Sequence, residues 1–189
     1  FLSHAYVPCP HSIYEDIFSL EPGEILEVSI DDKTSKSKKY WDVSEVIKNN
    51  TVNKFNGTSS DAVKKLESLI ASSVKRQMIS DVPLGAFLSG GIDSSTIVSL
   101  MQSQSSKPIK TFTIGFNEKG FDEAKYAKSI AKHLGTDHTE LYVDADSAMK
   151  VIPDMHSIYC EPFADPTQIP NYIVSKLANK DVKVALSGD

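Results

Sequence analysis

The sequence has 189 residues, a formal net charge of −5 and a hydrophobic fraction of 40%, values that are ordinary for a globular protein. This length is enough for one full hydrophobic core, or for one domain with part of another attached. The acidic balance disfavours an extended nucleic-acid or anionic-membrane surface, because such surfaces carry an excess of Lys and Arg. We therefore expect small molecules as partners, with no nucleic acid and no membrane.

The cysteines and the chain ends predict a cytoplasmic protein that is a piece of a longer one. Cys9 and Cys160 are far apart and lack CxxC spacing, so we expect neither a disulfide framework nor a zinc site. This usage fits a reducing cytosol. No apolar run approaches the roughly 20 residues of a membrane span, and no signal peptide is evident. The chain starts at Phe1 and stops within a strand-to-loop pattern, which predicts a fragment cut at both ends.

The first part of the chain predicts a β hairpin. Pro22-Gly23 marks a turn before an apolar strand over 25–30, and "KKYWDV" is the predicted second strand, with Tyr40 and Trp41 in the hairpin core. The Lys/Ser-rich link between them is predicted to be an exposed loop. The polar stretch 47–61 predicts a linker, which divides the chain into domains 1–55 and 56–189.

Beyond the linker, strands and helices alternate. A capped helix over about 58–80 has apolar residues every three or four positions. The strands and helices that follow it are predicted at 84–89, 94–103, 109–116, 122–134, 138–143, 144–159, 170–179 and 182–188. This order predicts an α/β fold, a parallel sheet with helices on both faces. Ligands of such sheets bind beyond the carboxyl ends of the strands.

The stretch "LSGGIDSST", residues 88–96, lies at one of these strand ends. Glycines favour a tight turn, and Asp93 and Ser94 could cap the helix that follows. The same features suit an anion, because bare backbone and a helix N-terminus present N–H groups to phosphate oxygens. A carboxylate beside phosphate is repulsive unless a divalent cation bridges them, so Asp93 indicates Mg²⁺.

The pattern S-G-G-x-D-S differs from GxxxxGK[ST] and GxGxxG and resembles the PP-loop of ATP pyrophosphatases, which implies the adenine nucleotide alpha hydrolase-like fold. Its flanks are similar to the glutamine-hydrolysing asparagine synthetase family over nearly the whole chain, in "DVPLGAFLSGGIDSS", "KTFTIGF", "EPFADPTQIPNYIVSKLA" and "VKVALSGD". The segment 6–28 is similar to the last strands of that family's glutaminase domain, so a short β segment would precede the synthetase fold.

The resemblance implies a parent enzyme that makes asparagine from aspartate, ATP and ammonia released from glutamine, through a β-aspartyl-adenylate. It assigns ATP contacts, with Asp93 also on Mg²⁺, and makes Asp189 the catalytic residue that helps to deprotonate ammonia. The residues assigned to ATP are Leu88, Ser89, Gly90, Gly91, Asp93, Ser94, Ser95, Ile114, Ser187 and Gly188. Neither cysteine matches the glutaminase nucleophile, and we expect negligible synthesis from the 189 residues alone. The resemblance is compatible with a homodimeric parent.

Several alternatives stay open at this stage. A related amide-forming synthetase, such as a β-lactam synthetase, would share the loop but use another acceptor, and a non-catalytic nucleotide-binding fragment is a further reading. Asp122 is predicted to cap a helix, and His138 to be a structural histidine rather than a base. Glu161 and Asp165 suit helix capping and a role near the phosphates equally well.

Overall fold

A computed structural model of the chain describes residues 1–116 and 123–188, which group into two compact units. The first unit comprises residues 1–57 and 154–165, and the second comprises residues 58–153 and 166–189. The boundary in the chain lies close to the predicted division at residue 55, although the nature of the two predicted domains stays a prediction. None of the helices in the described residues is both long and apolar enough to cross a bilayer.

The first unit contains an antiparallel hairpin and a short helix. Strand β1 (Glu24–Ser29) pairs with β2 (Thr34–Lys39), and helix α1 (Val43–Val52) follows. The Asp42 carboxylate caps α1 by accepting from the Ser44 N–H at 2.7 Å. Every residue of this unit is described, and none of its side chains is fully buried.

Three predictions for this region are wrong. The Lys/Ser-rich segment is itself strand β2, because alternate side chains of a solvated hairpin can all be polar. Tyr40 and Trp41 follow that strand and are 68% and 49% exposed, so they are not hairpin core. The predicted linker begins inside helix α1, whose start signal is the Asp42 cap rather than an apolar period.

The second unit opens with α2 (Ser59–Gln77), which begins at a capping box. The Thr58 hydroxyl accepts from the Asp61 N–H, and the Asp61 carboxylate accepts from the Thr58 N–H. These bonds satisfy two N–H groups that would otherwise lack partners at the helix start. The Thr58 hydroxyl also donates to the Asp61 carboxylate at 2.6 Å, and this bond, together with the one from the Thr58 N–H, lowers the pKa of the Asp61 carboxyl. The predicted start of this helix is therefore correct.

Four strands of the described second unit form one parallel sheet in the order β5-β4-β3-β6. These strands are β3 (Leu84–Phe87), β4 (Lys110–Phe116), β5 (Asp137–Val143) and β6 (Val184–Leu186). The chain moves outward from β3 through β4 to β5 and then returns to place β6 on the other side of β3. The order of strands thus reverses at β3, which is where ligands bind in open α/β sheets.

Helices cover both faces of this sheet, as predicted. The long helices of the unit besides α2 are α3 (Ile92–Ser103), α4 (Ala124–Leu134) and α7 (Gln168–Ala178). Ala86 and Leu88 belong to a core cluster with side chains of α2, α3 and α4. Phe87 packs instead on a second cluster, formed by Phe112 and side chains of α7. Successive residues of β3 therefore point to opposite faces, and both faces are buried.

The helix predicted over 144–159 is broken. It divides into α5 (Ala145–Met149), a 3₁₀ turn (Ile152–Asp154) and α6 (Met155–Ile158). Pro153 lies at the break, and proline lacks the N–H that a continuous helix needs. The predicted cap Asp122 lies outside the described residues, and α4 starts after Glu123.

Candidate functional site

A cavity of about 460 Å³ opens at the carboxyl ends of β3, β4 and β6. The start of the glycine and hydroxyl loop follows β3 into the lining, and Ser187 and Gly188 follow β6. Strand β4 contributes Phe112, Thr113, Ile114 and Phe116. Helix α7 closes one side with residues that include Pro170 and Val174. The cavity thus occupies the edge of the sheet at which the strand order reverses.

Helix α3 begins at this cavity without a side-chain cap. Gly91 occupies the N-cap position, and no side chain accepts a hydrogen bond from the first turn. The first N–H groups of a helix have no partner within the helix, and the macrodipole places partial positive charge there. Gly91, Asp93 and Ser94 all line the cavity. The exposed helix start is therefore suited to an anion.

A network of serine hydroxyls fixes the loop that precedes α3. The Ser94 hydroxyl accepts from the Ser89 N–H at 3.2 Å and lies 2.9 Å from the Ser89 hydroxyl. The Ser89 hydroxyl in turn accepts from the Gly91 N–H at 3.2 Å. Ser94 is buried, whereas Ser89 is exposed. The network links the end of β3, the loop and the first turn of α3 through hydrogen bonds that involve no ligand.

Two glycines are required by close backbone approaches. Gly90 has φ +84°, and a Cβ there would lie 2.8 Å from the Cβ of Tyr126 on α4. A Cβ at Gly188 would lie 2.7 Å from both the Asp93 carbonyl carbon and the Ser94 Cα. Both distances are shorter than any real Cβ contact, so only glycine fits at either position.

The cavity lining is acidic. Asp93 lies in the first turn of α3, and Glu123 precedes α4. Among the described lining residues there is no Lys, Arg or His. No described residue donates a hydrogen bond to the Asp93 carboxylate, and the described residues hold no cluster of three or more metal-ligating side chains. A polyanion in this cavity would need a cation that it shares with the carboxylates.

The structure gathers eight of the ten predicted ATP-contacting residues around the cavity. They are Leu88, Ser89, Gly91, Asp93, Ser94, Ile114, Ser187 and Gly188. Gly90 and Ser95 line a separate shallow depression beside α4 instead. The Ser95 hydroxyl donates to the Gly91 carbonyl at 2.6 Å. Asp189 lies outside the described residues.

Only the backbone of Leu88 is available to a ligand in the cavity. Its side chain is 1% exposed and belongs to the core, and its N–H donates to the Phe112 carbonyl at 3.0 Å. The part of Leu88 that remains for a ligand is its backbone carbonyl. Ile114 is partly buried and packs on the second core cluster from β4.

Sequence reasoning missed four polar residues of the lining: Thr113, Glu123, Thr167 and Asn171. The helical spacing of 167, 170, 171 and 174 is a detectable signal, because these positions share one face. Glu123 directly follows the residue that was predicted as the cap. Glu161 and Asp165 are not among the lining residues and belong to the first unit. The described start of α7 has Thr167 at its N-cap, so neither carboxylate occupies the capping position.

His138 lies on β5, away from the cavity lining. Its Nδ1 is 2.8 Å from the Thr111 hydroxyl, which also contacts the Thr136 hydroxyl at 3.0 Å. Burial lowers the pKa of His138, an effect that the Glu140 carboxylate partly opposes. Its Nε2 is buried and has no hydrogen-bond partner among the described residues. This environment favours the neutral imidazole.

Comparison with known proteins identifies the family. A sequence model of asparagine synthase matches residues 65–189, which is more than half of the chain. This chain belongs to the asparagine synthase family. It is 35% identical over 190 residues to a putative glutamine-hydrolysing asparagine synthetase of Methanocaldococcus jannaschii, and 36% identical over 190 residues to asparagine synthetase 1 of Bacillus subtilis.

These alignments cover the whole chain but only part of each relative. The chain spans 35% of the length of the first family member and 28% of the second. Among solved structures, an NMN synthetase from Francisella tularensis aligns with 71% of this chain and 56% of its own, at 15% identity and a TM-score of 0.45. The predicted family membership is confirmed, and the four-stranded parallel sheet confirms the predicted fold class.

Proposed function

We propose that this chain forms the ATP-binding part of a glutamine-dependent asparagine synthetase. The observation that supports the proposal is the meeting of the glycine and hydroxyl loop with Ser187-Gly188 around one cavity at the sheet edge. Because the chain spans about a third of its relatives' length, nucleotide binding is proposed for these 189 residues. Synthesis of asparagine is proposed for the longer protein.

The loop would bind the two outer phosphates of ATP. The uncapped start of α3 lines the cavity at Gly91, Asp93 and Ser94, and Ser89 lines it as well. These groups are fixed before the reaction, so they would stabilise charge that develops on pyrophosphate without reorganising. The aspartate side-chain carboxylate attacks the α-phosphorus and displaces pyrophosphate. Ammonia then attacks the acyl carbon of the β-aspartyl-adenylate and displaces AMP.

Asp93 fits a role in holding Mg²⁺. Its carboxylate lines the cavity and receives no hydrogen bond from the described residues. Magnesium is commonly held by one or two carboxylates together with substrate phosphates, which agrees with a lone acid at this helix start. When bound there, the ion would neutralise charge on the phosphates. Glu123 is a second carboxylate of the same lining.

The remaining assignments complete the nucleotide site. The Leu88 carbonyl and Ile114 would contact adenosine from adjacent strands, and Gly188 would let the β6 turn approach the first turn of α3. Gly90 and Ser95 would stabilise the conformation of the loop rather than contact the nucleotide, since both line the neighbouring depression. We also propose that Asp189 helps to deprotonate the incoming ammonia.

We further propose that residues 1–55 are the end of a larger glutaminase domain. The described hairpin and helix α1 leave apolar side chains such as Ile25, Val28 and Ile47 more than half exposed. A two-stranded hairpin is marginal alone and needs further strands or a packing partner.

We also propose a cytoplasmic location, because the two exposed free cysteines are compatible with a reducing compartment.

The products of ATP cleavage test the proposed reaction. The longest natural protein that contains this sequence should be assayed with Mg-ATP, ammonium and a panel of acidic acceptors. We expect AMP and pyrophosphate in step with asparagine when aspartate is the acceptor. Formation of ADP would contradict adenylation, and turnover only with another acceptor would indicate a different amide-forming synthetase.

A further inference from the structure

One face of helix α7 forms a graded wall of the cavity. Thr167, Pro170, Asn171 and Val174 all line it, and their spacing of three, four and seven residues places them on the same side of the helix. Val174 is buried against the Phe112 cluster, whereas Asn171 and Thr167 are exposed. The wall therefore changes from apolar at its base to polar at its rim.

The cavity also changes in character along the sheet edge. The strand order β6-β3-β4 places Ser187-Gly188 and the serine loop beside one another, and the β4 residues Phe112 and Ile114 next to them. A nucleotide whose phosphates lie at β6 and β3 would thus place its base beside β4. Val174 faces that part of the cavity from α7, because it shares a core cluster with Phe112. Asn171 lines the cavity three residues before Val174, on the same face of the helix.

The Asn171 side chain presents an acceptor there. Its Nδ2 is 3.5 Å from the Thr167 hydroxyl oxygen, and no described residue donates to its Oδ1. An amide oxygen accepts from an amine but is repelled by another carbonyl. Among purines, adenine has a 6-amino donor, whereas guanine and hypoxanthine have an oxygen at the same position.

We propose that Asn171 determines the base specificity of this site, with its Oδ1 accepting from the 6-amino group of adenine. The inference rests on the proposed nucleotide site and adds a specificity residue to it. A site that hydrogen-bonds a substrate group disfavours an analogue that lacks it, because the analogue sets an oxygen against the amide oxygen where the substrate supplies a donor.

The test compares Mg-ATP with Mg-ITP, which replaces the 6-amino group by oxygen. Calorimetry on the 189-residue chain should show tighter binding of Mg-ATP. Asn171→Leu should reduce the preference about 3- to 10-fold, the range of one net hydrogen bond, mainly by weakening Mg-ATP. Asn171→Asp keeps an acceptor oxygen and should retain the preference.

Ser175→Ala is the matched control, because Ser175 is exposed on the same helix and is not in the lining. It should leave both affinities unchanged. An unchanged ratio of affinities in Asn171→Leu, with Mg-ATP still bound, would overturn the inference and leave the proposed function standing. A wild-type chain that binds neither nucleotide would contradict both.

Discussion

The hydroxyl oxygens of Ser89 and Ser94 lie 2.9 Å apart and join the end of strand β3 to the first turn of helix α3. Ser94 also accepts from the Ser89 N–H, so one buried hydroxyl satisfies the backbone at the point where the strand becomes the loop. The candidate phosphate site therefore depends on a side chain that need not itself contact the phosphates.

Ser94→Ala should destabilise the protein and loosen the loop together. The substitution removes the buried Ser94 hydroxyl that accepts from the Ser89 N–H, and leaving such a donor without its acceptor costs about 1–3 kcal/mol. Urea unfolding monitored by circular dichroism measures the change. Ser95→Ala is the control, since its hydroxyl is partly exposed and, among the described residues, bonds the Gly91 carbonyl alone. Equal unfolding free energies for the two variants would show that the Ser89–Ser94 network does not stabilise the fold.

Gly188→Ala should weaken nucleotide binding. The added Cβ would lie 2.7 Å from the Asp93 carbonyl carbon, so either the β6 turn or the α3 start must move. Displacements of about 1 Å in positioning groups can cost roughly 100-fold in enzymes, and we expect Mg-ATP affinity to fall at least about tenfold.

Gly135→Ala provides the comparison for Gly188. Gly135 ends α4 with φ +72° and has open space where a Cβ would be. Its substitution should cost about 1–2 kcal/mol of stability through backbone strain alone and leave the Mg-ATP affinity unchanged. If Gly188→Ala binds as well as wild type, then the close approach of the β6 turn is irrelevant to the ligand.

His138 should make folding stability depend on pH. Burial lowers its pKa in the folded protein below the usual 6.5, so the unfolded chain binds the proton more readily. Its contribution is complete above pH 6.5 and is lost as the pH falls through the lowered value. Unfolding free energies measured at several pH values from 8 to 4.5 should show this loss.

His138→Gln should flatten that part of the pH profile while keeping a polar group near Thr111. His133→Gln is the control, because His133 is exposed on α4. A decline below pH 6.5 that persists unchanged in His138→Gln would assign the effect to other groups.

The second unit could be predicted well because its local and long-range signals agree. The Thr58 cap, the apolar period of α2 and the alternation of strands with helices all favour the same α/β arrangement. The family resemblance assigned ten residues to ATP, and eight of them line one cavity.

The first unit was harder because its signals are weak or opposed. Strand β2 is polar throughout, so no hydrophobic pattern marks it. Within the site, Asn171 and Thr167 could not be assigned because only tertiary packing brings α7 to the end of β4. Gly90 and Ser95 belong to the motif but do not line the cavity. A sequence motif does not specify which of its residues face the ligand.

Binding of Mg-ATP to wild type and to Asp93→Asn tests the central claim most directly. Calorimetry with and without EDTA should show saturable binding by the wild type that depends on magnesium. Asp93→Asn should weaken it about tenfold or more, since loss of even an outer-shell partner of a metal costs about 10- to 100-fold, whereas Asp31→Asn on the exposed hairpin should bind normally. No binding by the wild type, or equal affinity for Asp93→Asn, would contradict an ATP site organised by this loop.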